Sequence, residues 1–430
     1  MRIIVIGAGP GGYETAIEAA KRGMEVVLIS DGALGGTCLN EGCIPTKTFC
    51  HYASVNGADI SDLEELQEKK SEVVNQLCSG IDTLLKSKKV TLVYGRASFV
   101  DSHTVAVGDN SYSADKVIIA TGSVCSSLPV PGIELALTSK EILELKKVPA
   151  RLCVIGGGVI GLEFASVFSA MGSQVTVVEY APHILPRFDE DLSKRLKQSL
   201  AKRGIAIETS SQVKSIESDL SGYVVRYQKK EEEFELKTDI VLLAAGRRPA
   251  VNSLNLDAVG VEFSPKGIKV NDDMQTSNPD IYAIGDVNGR MMLAHVAVFQ
   301  GKRALNSIEG KPDRIRFDIV PSAVFTVPEL ASVGMTEEEA KERGIKVKAL
   351  KSFYRANGKA VAMGCTEGYV KILVNEENDR IIGCHILGEH ASDLIQEATV
   401  LLNFDASVSD LQNIIHAHPT LGELLQTASN

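Results

Sequence analysis

Apolar residues in this chain fall into short unbroken runs separated by glycine-rich turns, and two of these runs repeat. Arg2–Ile6 reads as a buried strand entering Gly7-x-Gly9-x-x-Gly12, followed by an Ala-rich helix ending near Gly23 and a second strand over 26–29. Arg151–Ile155 leads in the same way into Gly156-x-Gly158-x-x-Gly161, a helix ending at Gly172 and a strand over 175–178. The two units superimpose without a gap, Gly7 on Gly156, Gly9 on Gly158, Gly12 on Gly161 and Gly23 on Gly172. One such fingerprint is a weak signal, whereas two in the same strand–turn–helix context are strong. Close helix–strand packing would explain the third glycine of each set but not the first two. The pattern predicts a duplicated βαβ fold that binds dinucleotides.

Between the units, residues 60–90 are polar, with Leu63, Leu66, Val73, Leu77 and Leu84 near helical spacing, which predicts a helix. A strand over 117–120 ends in Thr121-Gly122, and 129–132 marks a crossing into the second domain. Strands over 240–244 and 281–284 run into Ala245-Gly246-Arg247-Arg248-Pro249 and Gly285-Asp286. From about Phe317 the pattern changes. Residues 361–363, 369–374 and 381–386 read as antiparallel strands, followed by a helix over 392–402. The expected fold is α/β, with two Rossmann-like dinucleotide-binding domains (1–140 and 141–258), a central segment (259–316) and a C-terminal α+β domain (317–430).

Bulk properties narrow the class. A chain of 430 residues is too long for one core, and 44% hydrophobic with 23% charged content is that of an ordinary globular protein. A net charge of −10 without a long basic run argues against a nucleic-acid partner. The eight cysteines show no disulfide-framework spacing, and the chain opens on a short strand pattern, not an apolar leader. A reducing, cytoplasmic compartment is therefore expected. No apolar run reaches the roughly eighteen residues of a membrane span, so no membrane partner is expected either.

Candidate chemistry centres on Gly35-Gly36-Thr37-Cys38-Leu39-Asn40-Glu41-Gly42-Cys43-Ile44-Pro45-Thr46-Lys47. Cysteines five apart on one helix would splay, but the glycines before and between them let the backbone bend, so a disulfide can close. Burial as two small hydrophobes is the commoner fate of cysteine; the upstream fingerprint favours a redox dithiol. In the second unit the acid ending the second strand is Glu179, which would accept the 2′-hydroxyl of NAD and repel the 2′-phosphate of NADP. In the first unit the same offset falls on Ser30, with Asp31 next. Either Asp31 turns inward to the ribose, or affinity comes from the phosphate end of the site. Near the C-terminus, His418-Pro419 with Glu423 offers an imidazole and a carboxylate, the proline suiting the first turn of a helix. His416 has no such claim, and Cys50, Cys78, Cys125, Cys153, Cys365 and Cys384 read as packing residues, with no metal site expected.

These residues, with Ala120-Thr121-Gly122, Gly285-Asp286, 321–334 and His416-Ala417-His418-Pro419-Thr420-Leu421-Gly422-Glu423, make the chain resemble the dihydrolipoamide dehydrogenase family of flavin disulfide reductases over nearly its whole length. The resemblance implies FAD on the first fingerprint and NAD on the second, a central segment that completes the FAD site, and a C-terminal domain that forms a homodimer with shared active sites. It makes Cys38 the thiol that meets substrate and Cys43 the thiol that faces the flavin, with His418 as base and Glu423 orienting it. Lys47 would lie near the flavin with Glu163 as its partner, Asp286 would bond the flavin's ribityl or phosphate region, and Met292, Leu293, Ala294 and His295 would form the loop after it. Gly246 would contact NAD, and Gly36, Thr37, Gly95, Ala120, Thr121, Gly122 and Val213 join the cofactor-binding set. The implied substrate is a lipoyl-bearing acyl-carrier protein or free lipoamide. Glutathione and mercuric reductases share the dithiol, but Glu179 without nearby arginines weighs against the first and the cysteine-free tail 426–430 against the second. A flavin redox sensor that changes state once is the alternative from another class. The segment between Lys47 and Gly95 is shorter than the family usually carries.

Overall fold

The computed structural model describes residues 1–57, 63–220 and 222–430, and the chain divides into two compact units. One comprises Met1–Thr48, Glu64–Ser126 and Gly246–Ile315; the other comprises Phe49–Leu63, Ser127–Ala245 and Arg316–Asn430.

In the first unit, Ile3, Ile4, Val5 and Ile6 are all buried, so the strand Arg2–Ile6 is apolar on both faces, as the centre of a covered parallel sheet requires. The sheet has five parallel strands, in the order Ile281–Ala283, Lys116–Ile119, Arg2–Ile6, Glu25–Ser30, Thr91–Tyr94. The fingerprint turn follows the central strand and opens the helix Pro10–Lys21. A second layer, the antiparallel strands Ala97–Asp101, Thr104–Val107 and Asn110–Ser113, covers the sheet through Phe99, Val105 and Val107.

The second unit repeats the plan with four parallel strands, ordered Ala206–Glu208, Gln174–Val178, Arg151–Ile155, Ile240–Leu243, and the helix Val159–Ala170. It also holds an antiparallel meander, Ser211–Asp219, Gly222–Lys229 and Glu232–Thr238. Its C-terminal part is a five-stranded antiparallel sheet, Ser322–Val324, Leu330–Gly334, Ile381–Leu387, Tyr369–Asn375, Val347–Phe353. The helices Ala391–Asn403 and Glu423–Ser429 bury Ile395, Leu424 and Leu425 in the same core as Val370, Ile372 and Ile386.

Two expectations change. Residues 361–363 are not a strand but the end of the helix Gly358–Met363, because the Asn357 side chain caps it by accepting from the Ala360 N–H at 2.9 Å and Gly364 closes it at φ +72°. Pro419 does not enter a helix: the last helix begins at Glu423, and His418 and Pro419 lie in the turn before it. The polar helix is Glu64–Ser87; residues 60–62 of its expected span lie outside those described. Among the described residues no helix is long and apolar enough to cross a membrane.

Candidate active site

Gly35 (φ +88°) and Gly36 (φ +57°) turn the chain into the short helix Gly36–Asn40, which carries Thr37 and Cys38. That helix ends at Glu41, and Cys43 is the first residue of the next, Cys43–Asn56. The dithiol thus spans two consecutive helices in place of one bent one, and the break brings the two thiols into hydrogen-bonding contact. Cys38 is half-buried and Cys43 exposed. The hydrogen bond with Cys43, burial and the nearby Cys43 sulfur push the Cys38 thiol far up, while the Lys47 ammonium acts in the opposite sense. Lys47 follows Cys43 by four residues on the helix, on the same face. At the helix N-terminus, negative charge on Cys43 is stabilised by the aligned backbone dipoles. Asn40 Nδ2 donates to the Leu34 and Gly36 carbonyls, both at 2.9 Å, and so fixes the turn before Cys38. Tyr13, on the first fingerprint helix, is pushed up to about 12 by burial first, and then by Glu14 and Cys38, so it stays a neutral phenol.

The two fingerprints have the same internal logic. A methyl on Gly7 would lie 2.3 Å from the Ala120 carbonyl oxygen, and one on Gly12 would lie 1.8 Å from that of Gly7. Gly156 and Gly161 repeat this at 2.5 Å from Ala244 O and 2.0 Å from Gly156 O. Packing therefore demands the first glycine as well as the third. A methyl on Gly9 or Gly158 would meet nothing within 4 Å. These middle glycines are the N-caps of the two fingerprint helices and have no side-chain cap, so the first-turn N–H groups are available to a pyrophosphate. Both turns fit a dinucleotide.

At the end of the neighbouring strand, Glu179 Oε2 accepts from Gly157 N–H at 2.5 Å and Oε1 from Ala181 N–H at 2.6 Å. The carboxylate is thereby fixed beside the second fingerprint as an acceptor only, with lone pairs left for a ribose. Its counterpart Ser30 is buried and donates to the Gly32 carbonyl at 2.9 Å, while Asp31 is exposed.

Asp286 sits at the start of a 3₁₀ turn, Gly285–Asn288, after the strand Ile281–Ala283. Its Oδ2 accepts from Ser123 Oγ at 2.5 Å, and Arg247 donates from Nε to the same hydroxyl at 2.8 Å and from Nη2 to the Ser123 carbonyl at 2.7 Å. From behind, buried Gln300 Oε1 takes Gly285 N–H at 2.7 Å and Asn288 Nδ2 at 2.9 Å. Ser123, Asn288 and Gln300 belonged to no motif, and Arg247 was visible only as part of the Gly-Arg-Arg-Pro run. Ala120 N–H donates to Ile6 O at 2.7 Å, and Thr121 Oγ1 to Ala250 O at 2.9 Å, with Gly122 next in the same turn. Gly95 (φ +145°) follows the strand Thr91–Tyr94, and Gly246 (φ +108°) precedes Arg247–Pro249. Met292 and Leu293 lead into the helix Ala294–Ile308, whose first two residues are Ala294 and His295.

Val213 and Glu163 also have contacts of their own within the second unit. Val213 is buried among Cys153, Ile155 and Tyr227, so only its backbone could meet a ligand. Glu163 is 3% exposed, and its Oε1 accepts from Phe325 N–H at 3.1 Å, just as Ser166 Oγ accepts from Val327 N–H at 3.1 Å. The second fingerprint helix is thereby tied to the 321–334 segment.

In the C-terminal part, His418 Nδ1 lies 2.9 Å from Glu423 Oε1, and Glu423 Oε2 accepts from Thr420 N–H at 2.9 Å. The Thr420 N–H first, and then His418, hold the Glu423 carboxyl below its usual range. With the His418 side chain 78% exposed, its Nε2 is open to a reactant.

A chain that carries a thiol pair and two dinucleotide cradles has the equipment of a disulfide oxidoreductase that exchanges electrons with a nucleotide. The chain belongs to the pyridine nucleotide-disulphide oxidoreductase family, which it matches over residues 1–301, with that family's dimerisation domain at 320–429. It is 39% identical to the dihydrolipoyl dehydrogenase of Staphylococcus aureus, covering 99% of this chain and 95% of that protein. It is 38% identical to a dihydrolipoyl dehydrogenase of Bacillus subtilis, covering 100% and 98%. Among solved structures, the HOCl-induced flavoprotein disulfide reductase RclA of Escherichia coli superimposes with a TM-score of 0.91 at 30% identity, covering 99% and 98% of the two chains.

Proposed function

We propose that this chain catalyses the NAD⁺-dependent oxidation of dihydrolipoyl groups, with FAD on the first fingerprint and NAD on the second. The observation that carries the reading is the meeting of the Cys38 and Cys43 thiols at a helix N-terminus beside Lys47, where a sulfur anion is stabilised.

His418 Nε2, its other nitrogen held by Glu423, takes the proton from one dihydrolipoyl thiol. The thiolate attacks Cys38 Sγ of the Cys38–Cys43 disulfide, the S–S bond breaks, and Cys43 leaves as a thiolate. Departure of Cys43 is favoured because its anion sits at the helix N-terminus. The second substrate thiol then attacks the substrate sulfur bound to Cys38, closing the lipoyl disulfide; Cys38 leaves and takes the proton held on His418, and His418 takes the proton of the second substrate thiol. FAD held on the first fingerprint would supply two-electron chemistry, accepting the electron pair and the Cys38 proton as the Cys38–Cys43 disulfide re-forms, and NAD⁺ held on the second would be the hydride acceptor. Asp286, held by Ser123, would anchor the flavin's ribityl or phosphate region, and Glu179 the NAD ribose.

His418 and Glu423 lie in the dimerisation domain, which supports a homodimer in which His418 of one subunit serves Cys38 of the other. The division at 140, 258 and 316, and a lipoyl-bearing acyl-carrier protein or free lipoamide as partner, belong to the same reading. The test is a steady-state comparison of dihydrolipoamide with NAD⁺ and NADP⁺, and of lipoamide, glutathione disulfide, Hg²⁺ and Cu²⁺ as acceptors from NADH. Preference for the lipoyl and NAD pair is expected; preference for another acceptor overturns the reading.

A further inference from the structure

The turn that carries His418 is pinned from beneath by a second histidine–glutamate pair. Between Gln412 and Pro419 every residue is exposed except His416, whose side chain is 6% exposed. Its Nε2 lies 2.7 Å from Glu397 Oε1 on the helix Ala391–Asn403, and its Nδ1 lies 3.1 Å from the Ile414 carbonyl. Both ring nitrogens thus face acceptors. The ring is thereby gripped from two sides, Nε2 by the Glu397 side chain and Nδ1 by the Ile414 carbonyl. A methyl on Gly422 would stand 3.7 Å from His416 Cδ2 and 4.0 Å from Glu397 Oε2, so the pair lies directly under the residue that precedes Glu423.

We propose that His416, clamped by Glu397, is a positioning residue for the His418–Glu423 pair; the inference rests on the reading of His418 as the base. The clamp fixes the Ile414–His418 strap at one end, while Glu423 and its bond to Thr420 N–H fix the other. The imidazole that must reach a substrate thiol is then held between two anchored ends. The clamp also contributes charge: His416 helps hold the Glu423 carboxyl below its usual range, behind the larger effects of Thr420 and His418. Cys384, on the strand Ile381–Leu387, also feels the charge of Glu397.

The test compares His416→Leu, His416→Gln and Glu397→Gln in the FAD-loaded protein, with dihydrolipoamide oxidation and NADH-to-dye reduction measured on the same preparations. A displaced base costs up to about 10²-fold. His416→Leu should therefore lower kcat for dihydrolipoamide toward that limit, with KM little changed and dye reduction kept. His416→Gln, which retains an N–H donor for Glu397, should restore part of the loss. In a His418→Ala background, His416→Leu should cost nothing further. Unchanged kcat in His416→Leu, or dye reduction falling in step in all three variants, overturns the proposal. If His418→Ala itself leaves dihydrolipoamide oxidation intact, the base assignment has failed and this inference falls with it.

Discussion

Glu423 holds His418 Nδ1 with one carboxylate oxygen and the Thr420 N–H with the other, each at 2.9 Å, so one side chain fixes both the imidazole and the turn that bears it. Its carboxyl is held below the usual glutamate range, so it remains ionised as pH falls through that range and keeps its grip on His418. His418→Ala should slow dihydrolipoamide oxidation by about 10²–10⁴-fold, the contribution of a positioned base. NADH-to-dye reduction, which needs no thiol deprotonation, should persist. Glu423→Gln should give a smaller loss of the same kind. If both activities fall together in His418→Ala, the histidine is structural.

The thiols make a separate prediction. Replacing either Cys38 or Cys43 by serine should abolish lipoyl turnover, since an S–S bond cannot form with one sulfur. In the wild type, reduction by NADH should expose two further reactive thiols in a titration, and repeated turnover should follow. A single change of state without turnover would instead identify a sensor.

The glycines can be separated by experiment. Gly158→Val places its Cβ where the protein offers no atom within 4 Å, so the variant should melt like the wild type yet bind NADH at least tenfold more weakly. Gly161→Ala puts a methyl 2.0 Å from the Gly156 carbonyl oxygen and should lower stability by about 1–3 kcal/mol. Normal NADH affinity in Gly158→Val, measured by fluorescence titration, would remove the second fingerprint from the nucleotide site.

What the sequence revealed and what it hid follow from the same physics. Ile3–Ile6 and Leu152–Ile155 are apolar without interruption because parallel strands are covered on both faces, and their glycine turns repeat, so both nucleotide units were legible. The antiparallel sheets over 97–113 and 211–238 were not, since their strands are part-exposed and interrupted by polar residues. Val361 and Met363 looked like a strand because local apolar content cannot report a cap supplied by Asn357. Cys38, Cys43, His418 and Glu423 stood out through spacing. Ser123, Asn288 and Gln300 did not, because a buried polar residue that orients another has no sequence signature.

Within the second unit, Lys371 Nζ lies 2.8 Å from Asp189 Oδ2, with side chains 1% and 0% exposed, and 2.6 Å from Glu337 Oε2. Burial, which disfavours the Lys371 ammonium, is outweighed by these two carboxylates, and its pKa is raised. Asp189 also caps the helix Glu190–Lys202. Lys371→Met leaves Asp189 as an unpaired buried charge and should cost about 3–5 kcal/mol, read as a lower unfolding midpoint. Replacing both partners with apolar residues should recover part of that loss. A Lys371→Met protein as stable as the wild type would mean that Asp189 is already satisfied by its helix N-terminus.

His385 adds a pH dependence to the same region. It is fully buried; Met335 O, 3.1 Å from Nε2, accepts its N–H, and Nδ1, 2.5 Å from Ser332 Oγ, accepts the hydroxyl proton. A second ring proton on Nδ1 would require the Ser332 hydroxyl to turn and become the acceptor. Burial pushes the His385 pKa down, Asp189 opposes this and Lys371 adds to it, with a net lowering. The folded ring is neutral, whereas in the unfolded chain it takes up a proton below about pH 6.5. Below that pH the unfolded state binds more protons, so the stability contributed by neutral His385 is present above it and is lost as pH falls, at most about 1.4 kcal/mol per pH unit for one proton. Thermal unfolding followed from pH 8 to pH 5 should show a falling midpoint below about 6.5, and His385→Gln, which cannot titrate, should flatten that slope even where it lowers the plateau. Parallel curves for wild type and His385→Gln would assign the acid sensitivity to other groups.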